Sequence, residues 1–198
     1  GHAVLAARRA VQRSFAVINA DDFYGAGGYQ ALARHFRGSP QPALVAYPLR
    51  QTLSEYGTVS RGLCGIDAAG RLQEITELTK ITKLAGGGAS YIDGAGQAQP
   101  LTGNENVSMN FWGFSPAIFA QLDGLFREFL ETQGADPKAE FYLPSALSEL
   151  NRRGEARVAL LQSQDSWFGI TYREDLPTAR SAMRELILVN RYPAALWG

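Results

Sequence analysis

Two adjacent carboxylates, Asp21 and Asp22, follow an almost entirely apolar segment, residues 15–20. The segment predicts a short central strand covered on both faces, and ligands of open α/β sheets bind beyond the carboxyl ends of such strands. Two neighbouring carboxylates are costly there unless a cation or hydrogen bonds compensate them, and hard oxygen ligands suit magnesium shared with substrate phosphates. Asp22 also precedes a helical segment, so a helix N-cap is an equally open interpretation of that residue.

Other polar groups in the chain point to chemistry less directly. Glu140 heads a predicted helix, where a carboxylate favours the helix dipole. The segment from Glu74 to Lys80, which includes Glu77, is typical of a solvated strand face. The glycine-rich turn at residues 86–88 lacks the Lys-Ser/Thr pair of a phosphate-binding loop and does not join a strand to a helix. The sequence shows no Ser/His or Cys/His arrangement for nucleophilic catalysis.

The composition is that of a globular protein and excludes several functional classes. The 198 residues are 45% hydrophobic and correspond to one domain, residues 1–198. Lys+Arg and Asp+Glu number 19 each, and this zero net charge argues against a nucleic-acid binder. The single cysteine excludes an internal disulfide and a cysteine-based zinc site. No apolar run approaches the about 18 residues of a membrane helix, and no signal peptide is visible, so we expect a cytoplasmic protein without membrane contact.

Helices and strands alternate in the first part of the chain, which predicts a parallel sheet in an α/β fold. The middle of the chain predicts longer strands, and the last part returns to helices. Predicted helices span residues 3–13, 28–36, 115–133, 143–153 and 176–190, with Ser115 as an N-cap. Predicted strands span residues 15–20, 43–48, 56–66, 72–80, 107–114, 156–161 and 167–171.

Six segments stand in a recognisable order along almost the whole chain. They are Gly1-His2-Ala3-Val4-Leu5, residues 15–24, Tyr56-Gly57, residues 74–80, Glu140-Phe141-Tyr142-Leu143 and residues 167–171. Together they resemble the sugar-phosphate nucleotidyltransferases, which include glucose-1-phosphate uridylyl- and thymidylyltransferases. The resemblance implies a Rossmann-like nucleotide-diphospho-sugar transferase fold, with a mixed, mostly parallel sheet and flanking helices. It also implies a nucleoside triphosphate and a sugar-1-phosphate as substrates, Mg²⁺ as cofactor and pyrophosphate as leaving group.

The same resemblance assigns roles to single residues. Asp21 would hold the magnesium, with Thr171 at the position of a second ligand and Asp165 and Asp175 nearby. Lys80 would contact the sugar phosphate and would be a catalytic residue together with Asp21. The remaining substrate-binding residues would be Asp22 beside the metal, His2 at the base, and Tyr56, Gly57, Glu77, Asn110 and Glu140 around the sugar.

The family's glycine-rich triphosphate loop has no counterpart in this sequence. Its general form is Leu-Ala-Ala-Gly-x-Gly-Thr-Arg, and the sequence begins in the segment that follows this loop in the family. We therefore interpret residues 1–198 as a portion of the domain that lacks the N-terminal βαβ unit. On that interpretation the chain alone has little activity, and its strands expose apolar edges that favour homo-oligomers.

Two other functions fit some of the same residues. A regulatory relative that binds sugar nucleotides without making them fits the missing loop and Thr171 at the second metal position. A glycosyltransferase of the related fold uses an Asp-x-Asp pair at a similar strand end. That function fits less of the chain, because here the two carboxylates are adjacent.

Overall fold

The computed structural model describes residues 1–54, 57–170, 173 and 175–195. Its helices are α1 (His2–Ala6), α2 (Gly25–Gly38), α3 (Ile118–Gln133), α4 (Leu143–Arg152) and α5 (Asp175–Leu188). Its strands are β1 (Phe15–Val17), β2 (Asp22–Phe23), β3 (Ala43–Pro48), β4 (Val59–Ile66), β5 (Leu72–Lys83), β6 (Ala89–Ile92), β7 (Ala98–Leu101), β8 (Asn106–Phe114), β9 (Ala159–Gln162) and β10 (Phe168–Gly169). None of the described helices is long and apolar enough to cross a membrane.

Most of the strands form one mixed sheet with flanking helices, which confirms the predicted α/β class. Its order is β7-β6-β5-β4-β8-β3-β9, with β1 as an additional neighbour of β8. The sheet is mostly antiparallel rather than mostly parallel, because β3 and β9 are the one parallel pair among the described strands. Local sequence predicts that a strand exists, whereas its direction depends on the distant strand with which it pairs. β2 and β10 form a separate antiparallel pair.

Strand β1 differs from its prediction in length and in position. It ends at Val17 and pairs antiparallel with β8, with Phe15 opposite Phe114. Among the described strands β1 pairs with β8 alone, so it is an edge strand there and the predicted central position is wrong. Phe15 and Val17 are accordingly only half-buried. Packing on one face of the sheet explains its apolar side chains, because Phe15 stacks there on Phe119 with ring centroids 5.3 Å apart.

Strand β8 changes neighbours part of the way along its length. One edge pairs with β3, while the other edge pairs first with β4 and then with β1. Between these two stretches, residues 109–111 of β8 lie opposite the single residue Val45 of β3. This β-bulge includes Asn110, whose φ of 58° lies in the left-handed region. Bulges of this kind re-aim side chains and are common beside functional sites.

The hydrophobic core lies on both faces of the sheet. Successive side chains of a strand point to opposite faces, so neighbouring residues of β3 and β8 enter different clusters. Leu44 and Trp112 pack in the cluster that contains residues of α1, α3 and α4, whereas Val45 and Phe111 pack in the cluster that contains Leu32 of α2. The bulge of β8 is therefore fixed between two packed layers.

The remaining differences are three strands that were not predicted, β2, β6 and β7, and the ends of several helices and strands. Ser115 does not cap α3, because Ala117 is the N-cap and the Ser115 carbonyl accepts the backbone N–H of Ile118. Helix α1 continues only as a 3-10 turn that ends at Arg9, short of residue 13. The predicted strand at residues 43–48 matches β3 at both ends.

Candidate functional site

The acidic doublet lies in a cleft at the point where β8 passes from β4 to β1. This cleft, which we call the doublet cleft, has a volume of about 320 Å³. Four of the residues selected from the sequence line it together with Arg61 and Trp167, namely Asp21, Asp22, Glu77 and Asn110. Segments that are far apart in the chain thus converge on one site.

The Asp22 side chain is held on one of its two oxygens. Its Oδ2 accepts hydrogen bonds from Asn19 Nδ2 at 2.9 Å and from the Tyr24 hydroxyl at 3.0 Å. The same hydroxyl accepts the backbone N–H of Asn19 at 3.1 Å and lies 2.7 Å from the Met109 carbonyl oxygen, a second acceptor for its proton. Burial raises the pKa of Tyr24 well above its ordinary value, so the hydroxyl stays protonated. Oδ1 of Asp22 has no hydrogen-bond partner among the described residues.

Asp22 does not cap the helix that follows it. Tyr24 is the N-cap residue of α2 and provides no side-chain cap. The backbone N–H of Gly27 instead donates to Asp165 Oδ2 at 2.6 Å, and the other oxygen of Asp165 accepts from Arg191 at 2.7 Å. The N-cap interpretation of Asp22 is therefore wrong, and Asp165 takes that role from a distant part of the chain.

The acidic doublet could hold a magnesium ion only as a partial, open site. The Asp21 carboxylate is exposed and has no hydrogen-bond or ion-pair partner among the described residues. Within that part of the chain, no three His, Cys, Asp or Glu side chains form a closed metal site. Asp21 and Oδ1 of Asp22 could supply two hard oxygen ligands, and magnesium usually keeps waters and substrate phosphates in its remaining positions. The carbonyl of Asp21 accepts the backbone N–H of Ile170 at 2.9 Å, which joins the doublet to the β10 segment.

Arg61 and Trp167 also line the doublet cleft. Arg61 was not selected from the sequence, and Trp167 was named there only as part of the segment 167–171. The Arg61 guanidinium donates hydrogen bonds to Thr52 Oγ1 at 3.1 Å, to the Thr52 carbonyl, and to the Ser60 carbonyl at 2.8 Å. Its Cζ lies 5.0 Å from the centre of the Trp167 ring, within the range of a cation–π contact. These contacts hold the guanidinium in one place beside the acidic doublet.

The charged groups of the doublet cleft shift one another's pKa values. Burial lowers the pKa of Arg61, and the carboxylates of Asp22 and Glu77 partly oppose this shift. Burial also raises the pKa of Glu77, against the charge of Arg61. One signal in the sequence could have identified Arg61: it lies on the same face of β4 as Val59 and Leu63, which pack against the core. A cationic residue on the apolar face of a strand indicates a buried or shielded side chain.

A second and larger cleft adjoins the first and contains two other selected residues. This aromatic cleft has a volume of about 640 Å³ and is lined by His2 and Glu140. The His2 ring stacks on Phe126, with ring centroids 4.9 Å apart and an interplanar angle of 9°. The two clefts share three lining residues, Asn19, Asn110 and Pro144. Asn110 therefore lies at the junction of the two clefts.

Four selected residues lie elsewhere or outside the described residues. Gly57 lies in a separate groove beside Thr82. Lys80 is exposed on β5 with a φ of 55° and does not line either cleft. Tyr56 and Thr171 fall outside the described residues. The roles assigned to these four residues stay predictions.

Comparison with known proteins gives matches to solved structures only. No protein-family model matches the sequence, and no curated protein matches it. The chain is similar to a Bacillus anthracis protein described as a glucose-1-phosphate thymidylyltransferase and crystallised with sucrose, with a TM-score of 0.58 and 11% identity over 93% of this chain and 60% of that chain. It is also similar to the inositol-1-phosphate CTP transferase of T. maritima, with a TM-score of 0.57 and 10% identity over 94% of this chain and 61% of that chain. At these identities the likeness shows the fold, and the chain spans about 60% of the length of both structures.

Proposed function

We propose that this chain carries the metal-binding and sugar-phosphate-binding side of a sugar-1-phosphate nucleotidyltransferase. The doublet cleft is the observation that carries the proposal, because Asp21 and Asp22 share it with the fixed cation of Arg61. The adjoining aromatic cleft, with Glu140 in its lining, offers space for a larger ligand. The two similar structures bear the names of enzymes that act on glucose-1-phosphate and inositol-1-phosphate, which are phosphate esters of one chemical class.

The reaction transfers a nucleotidyl group without a covalent enzyme intermediate. An oxygen of the sugar phosphate forms a bond to the α-phosphorus of a nucleoside triphosphate, while the bond from that phosphorus to the bridging oxygen breaks. The bridging oxygen leaves with pyrophosphate, and no proton has to move. Such a transfer depends on positioning and charge neutralisation rather than on a protein nucleophile.

The residues of the two clefts supply these functions. Asp21 and Asp22 would hold Mg²⁺, which when bound neutralises charge on the reacting phosphates. Glu140 would accept hydrogen bonds from sugar hydroxyls, and the stacked pair of His2 and Phe126 would face the apolar part of the ligand. A reaction that consumes nucleoside triphosphates requires a compartment that contains them, and we place the protein in the cytoplasm.

The test compares the chain with two carboxylate variants. Pyrophosphate release is measured with a panel of nucleoside triphosphates and sugar-1-phosphates in Mg²⁺, and binding of sugar phosphates and nucleotide sugars is measured by calorimetry. Because the chain alone is expected to have little turnover, the binding measurement is decisive: we expect Asp21→Asn to abolish the Mg²⁺ dependence of sugar-phosphate binding, and to reduce any turnover by about 100-fold or more. In Asp123→Asn, which removes a surface carboxylate paired with Arg8 and Arg127, we expect turnover and binding as in the unmodified chain.

Three results would contradict the proposal. The absence of both turnover and Mg²⁺-dependent binding across the panel excludes a nucleotidyltransferase site. Binding of sugar nucleotides that is indifferent to Mg²⁺ and to Asp21→Asn indicates the regulatory alternative. Transfer of sugar from a nucleotide sugar to an acceptor indicates the glycosyltransferase alternative.

A further inference from the structure

We infer that Arg61 is the phosphate-binding residue of the doublet cleft and that it receives a phosphate group of the substrate opposite Asp21 and Asp22. This inference rests on the proposed function, but it assigns the phosphate contact to a different residue from the sequence analysis. Lys80, the cation selected there, is exposed on β5 and lies outside the lining of both clefts. Arg61 lies in the lining of the doublet cleft itself.

The hydrogen bonds of Arg61 leave it able to bind an anion. A guanidinium carries five N–H donors, one on Nε and two on each terminal nitrogen. In Arg61, Nε and Nη2 each donate one hydrogen bond to Thr52, and Nη1 donates one to Ser60. One N–H on each terminal nitrogen therefore has no acceptor among the described residues. Two such donors on a planar group match the oxygens of one phosphate in a bidentate contact.

The position of Arg61 is set before any ligand arrives. Its three hydrogen bonds and the Trp167 ring, 5.0 Å from Cζ, restrict the long side chain. Binding a phosphate then costs less side-chain entropy than it would at an exposed lysine. Partial burial also strengthens a charge-assisted hydrogen bond relative to the same contact in water.

The charge balance of the cleft predicts how the phosphate binds. Among the described lining residues, the carboxylates Asp21, Asp22 and Glu77 outnumber the single cation Arg61. The cleft alone would therefore repel a phosphate dianion, and a divalent cation at the doublet would reverse this. We expect phosphate to bind between the metal and Arg61, with an affinity that depends on both.

The experiment measures phosphate and metal binding separately. Inorganic phosphate and glucose-1-phosphate are titrated by calorimetry in Mg²⁺, and Mn²⁺ affinity is measured by electron paramagnetic resonance. We expect Arg61→Gln to weaken binding of both phosphate ligands at least tenfold without weakening Mn²⁺ binding, because loss of the cation removes repulsion of the metal. Arg61→Lys keeps the charge without the planar fork, so we expect an intermediate loss.

Arg50→Gln is the matched control. Arg50 also donates to a loop carbonyl, that of Gly103, at 3.3 Å, and it lies outside both clefts. We expect this variant to bind phosphate as the unmodified chain does. An equal loss in Arg50→Gln and Arg61→Gln would overturn the inference, because it would show a general effect of net charge.

A second measurement does not depend on the folding of the variants. Crystals of the unmodified chain soaked in tungstate, a heavy phosphate analogue, should show anomalous density within hydrogen-bond distance of the Arg61 guanidinium. Density elsewhere with none at Arg61 overturns the inference. Unchanged glucose-1-phosphate binding in folded Arg61→Gln also overturns it while leaving the proposed function intact, whereas failure of the unmodified chain to bind any phosphate ligand defeats both.

The source of the phosphate is decided in the turnover assay. A rise in KM for the sugar-1-phosphate in Arg61→Lys, with KM for the triphosphate unchanged, assigns the contact to the sugar phosphate. A rise confined to the triphosphate assigns it to that substrate. A fall in kcat with neither KM changed would contradict a binding role for Arg61.

Discussion

Gly169 lies directly opposite Asp22 in the antiparallel pair of β2 and β10. A Cβ atom at Gly169 would lie 2.7 Å from Asp22 Oδ1 and 3.1 Å from the Trp167 ring. Glycine therefore permits the close approach that brings the β10 segment against the doublet. The oxygen concerned is the one that has no hydrogen-bond partner in the described residues.

Gly169→Ala should disturb the doublet and the fold together. The added methyl forces Asp22 or Trp167 to shift, and overpacking of this kind costs about 1–3 kcal/mol of unfolding free energy. We expect weaker Mn²⁺ binding as well, measured by electron paramagnetic resonance beside urea denaturation. Gly124→Ala is the control: it adds a methyl inside α3 with no atom within 4 Å, so the protein should gain about 0.5–1 kcal/mol. Unchanged Mn²⁺ affinity in Gly169→Ala would show that the close contact does not position Asp22.

Tyr24→Phe should weaken metal binding more than an equally buried tyrosine change. The substitution removes the hydroxyl that contacts the Asn19 amide, Asp22 and the Met109 carbonyl. We expect a loss of about 1–3 kcal/mol in unfolding free energy, because buried partners lose their hydrogen bonds. Tyr47→Phe removes a buried hydroxyl that donates to the Tyr24 carbonyl at 2.6 Å, and we expect a similar loss of stability with unchanged Mn²⁺ affinity. Equal Mn²⁺ affinities in the two variants would contradict a positioning role for Tyr24.

Asp165→Asn should destabilise the fold by about 1.5–3 kcal/mol, the scale of a hydrogen bond to a charged group. Asparagine has one acceptor oxygen, so it cannot serve both Gly27 and Arg191 as the carboxylate does. Arg191→Gln should cost less, about 1 kcal/mol or below, because the Arg191 side chain is 57% exposed. Urea denaturation of both variants measures the difference, and a larger effect of Arg191→Gln would show that the ion pair, not the helix cap, is the main contribution.

Glu149 should titrate far below an ordinary glutamate. Hydrogen bonds from Arg152 and Arg153 lower its pKa from 4.5 to about 2. Because the folded state lowers this pKa, the contribution of Glu149 to stability is present above about pH 4.5 and is lost as the pH falls towards 2. Carboxyl NMR titration measures the pKa directly, and Glu149→Gln should flatten the pH dependence of unfolding in that range. A measured pKa near 4.5 would show that the arginine contacts do not persist in solution.

The sequence predicted individual strands and helices, and the acidic doublet of the site, more closely than it predicted which strands pair with one another. The strand at residues 43–48 and the helix at residues 143–153 are local features, and the structure contains both nearly as expected. Strand β1 was expected at the centre because its residues are apolar. Its position at the edge depends on its pairing with β8, about 100 residues away, and no local pattern encodes that pairing.

The doublet stood out in the sequence, whereas its cation was only weakly signalled. Asp21 and Asp22 stand out because two carboxylates follow an apolar strand. Arg61 shares one face of β4 with Val59 and Leu63, which pack against the core, but its shielded position depends on Trp167, which the fold brings to it from a distant segment. The bulge at Asn110 likewise arises from the mismatch between β8 and β3, which involves two strands at once.

The capping of α2 by Asp165 has a consequence for the order of folding. The two groups are separated by 138 positions in the chain, so during synthesis the start of α2 emerges long before the residue that completes it. Contacts between distant segments slow folding, because the intervening chain must first be ordered. The start of α2 should therefore stay exposed to proteases during translation until Asp165 has been made.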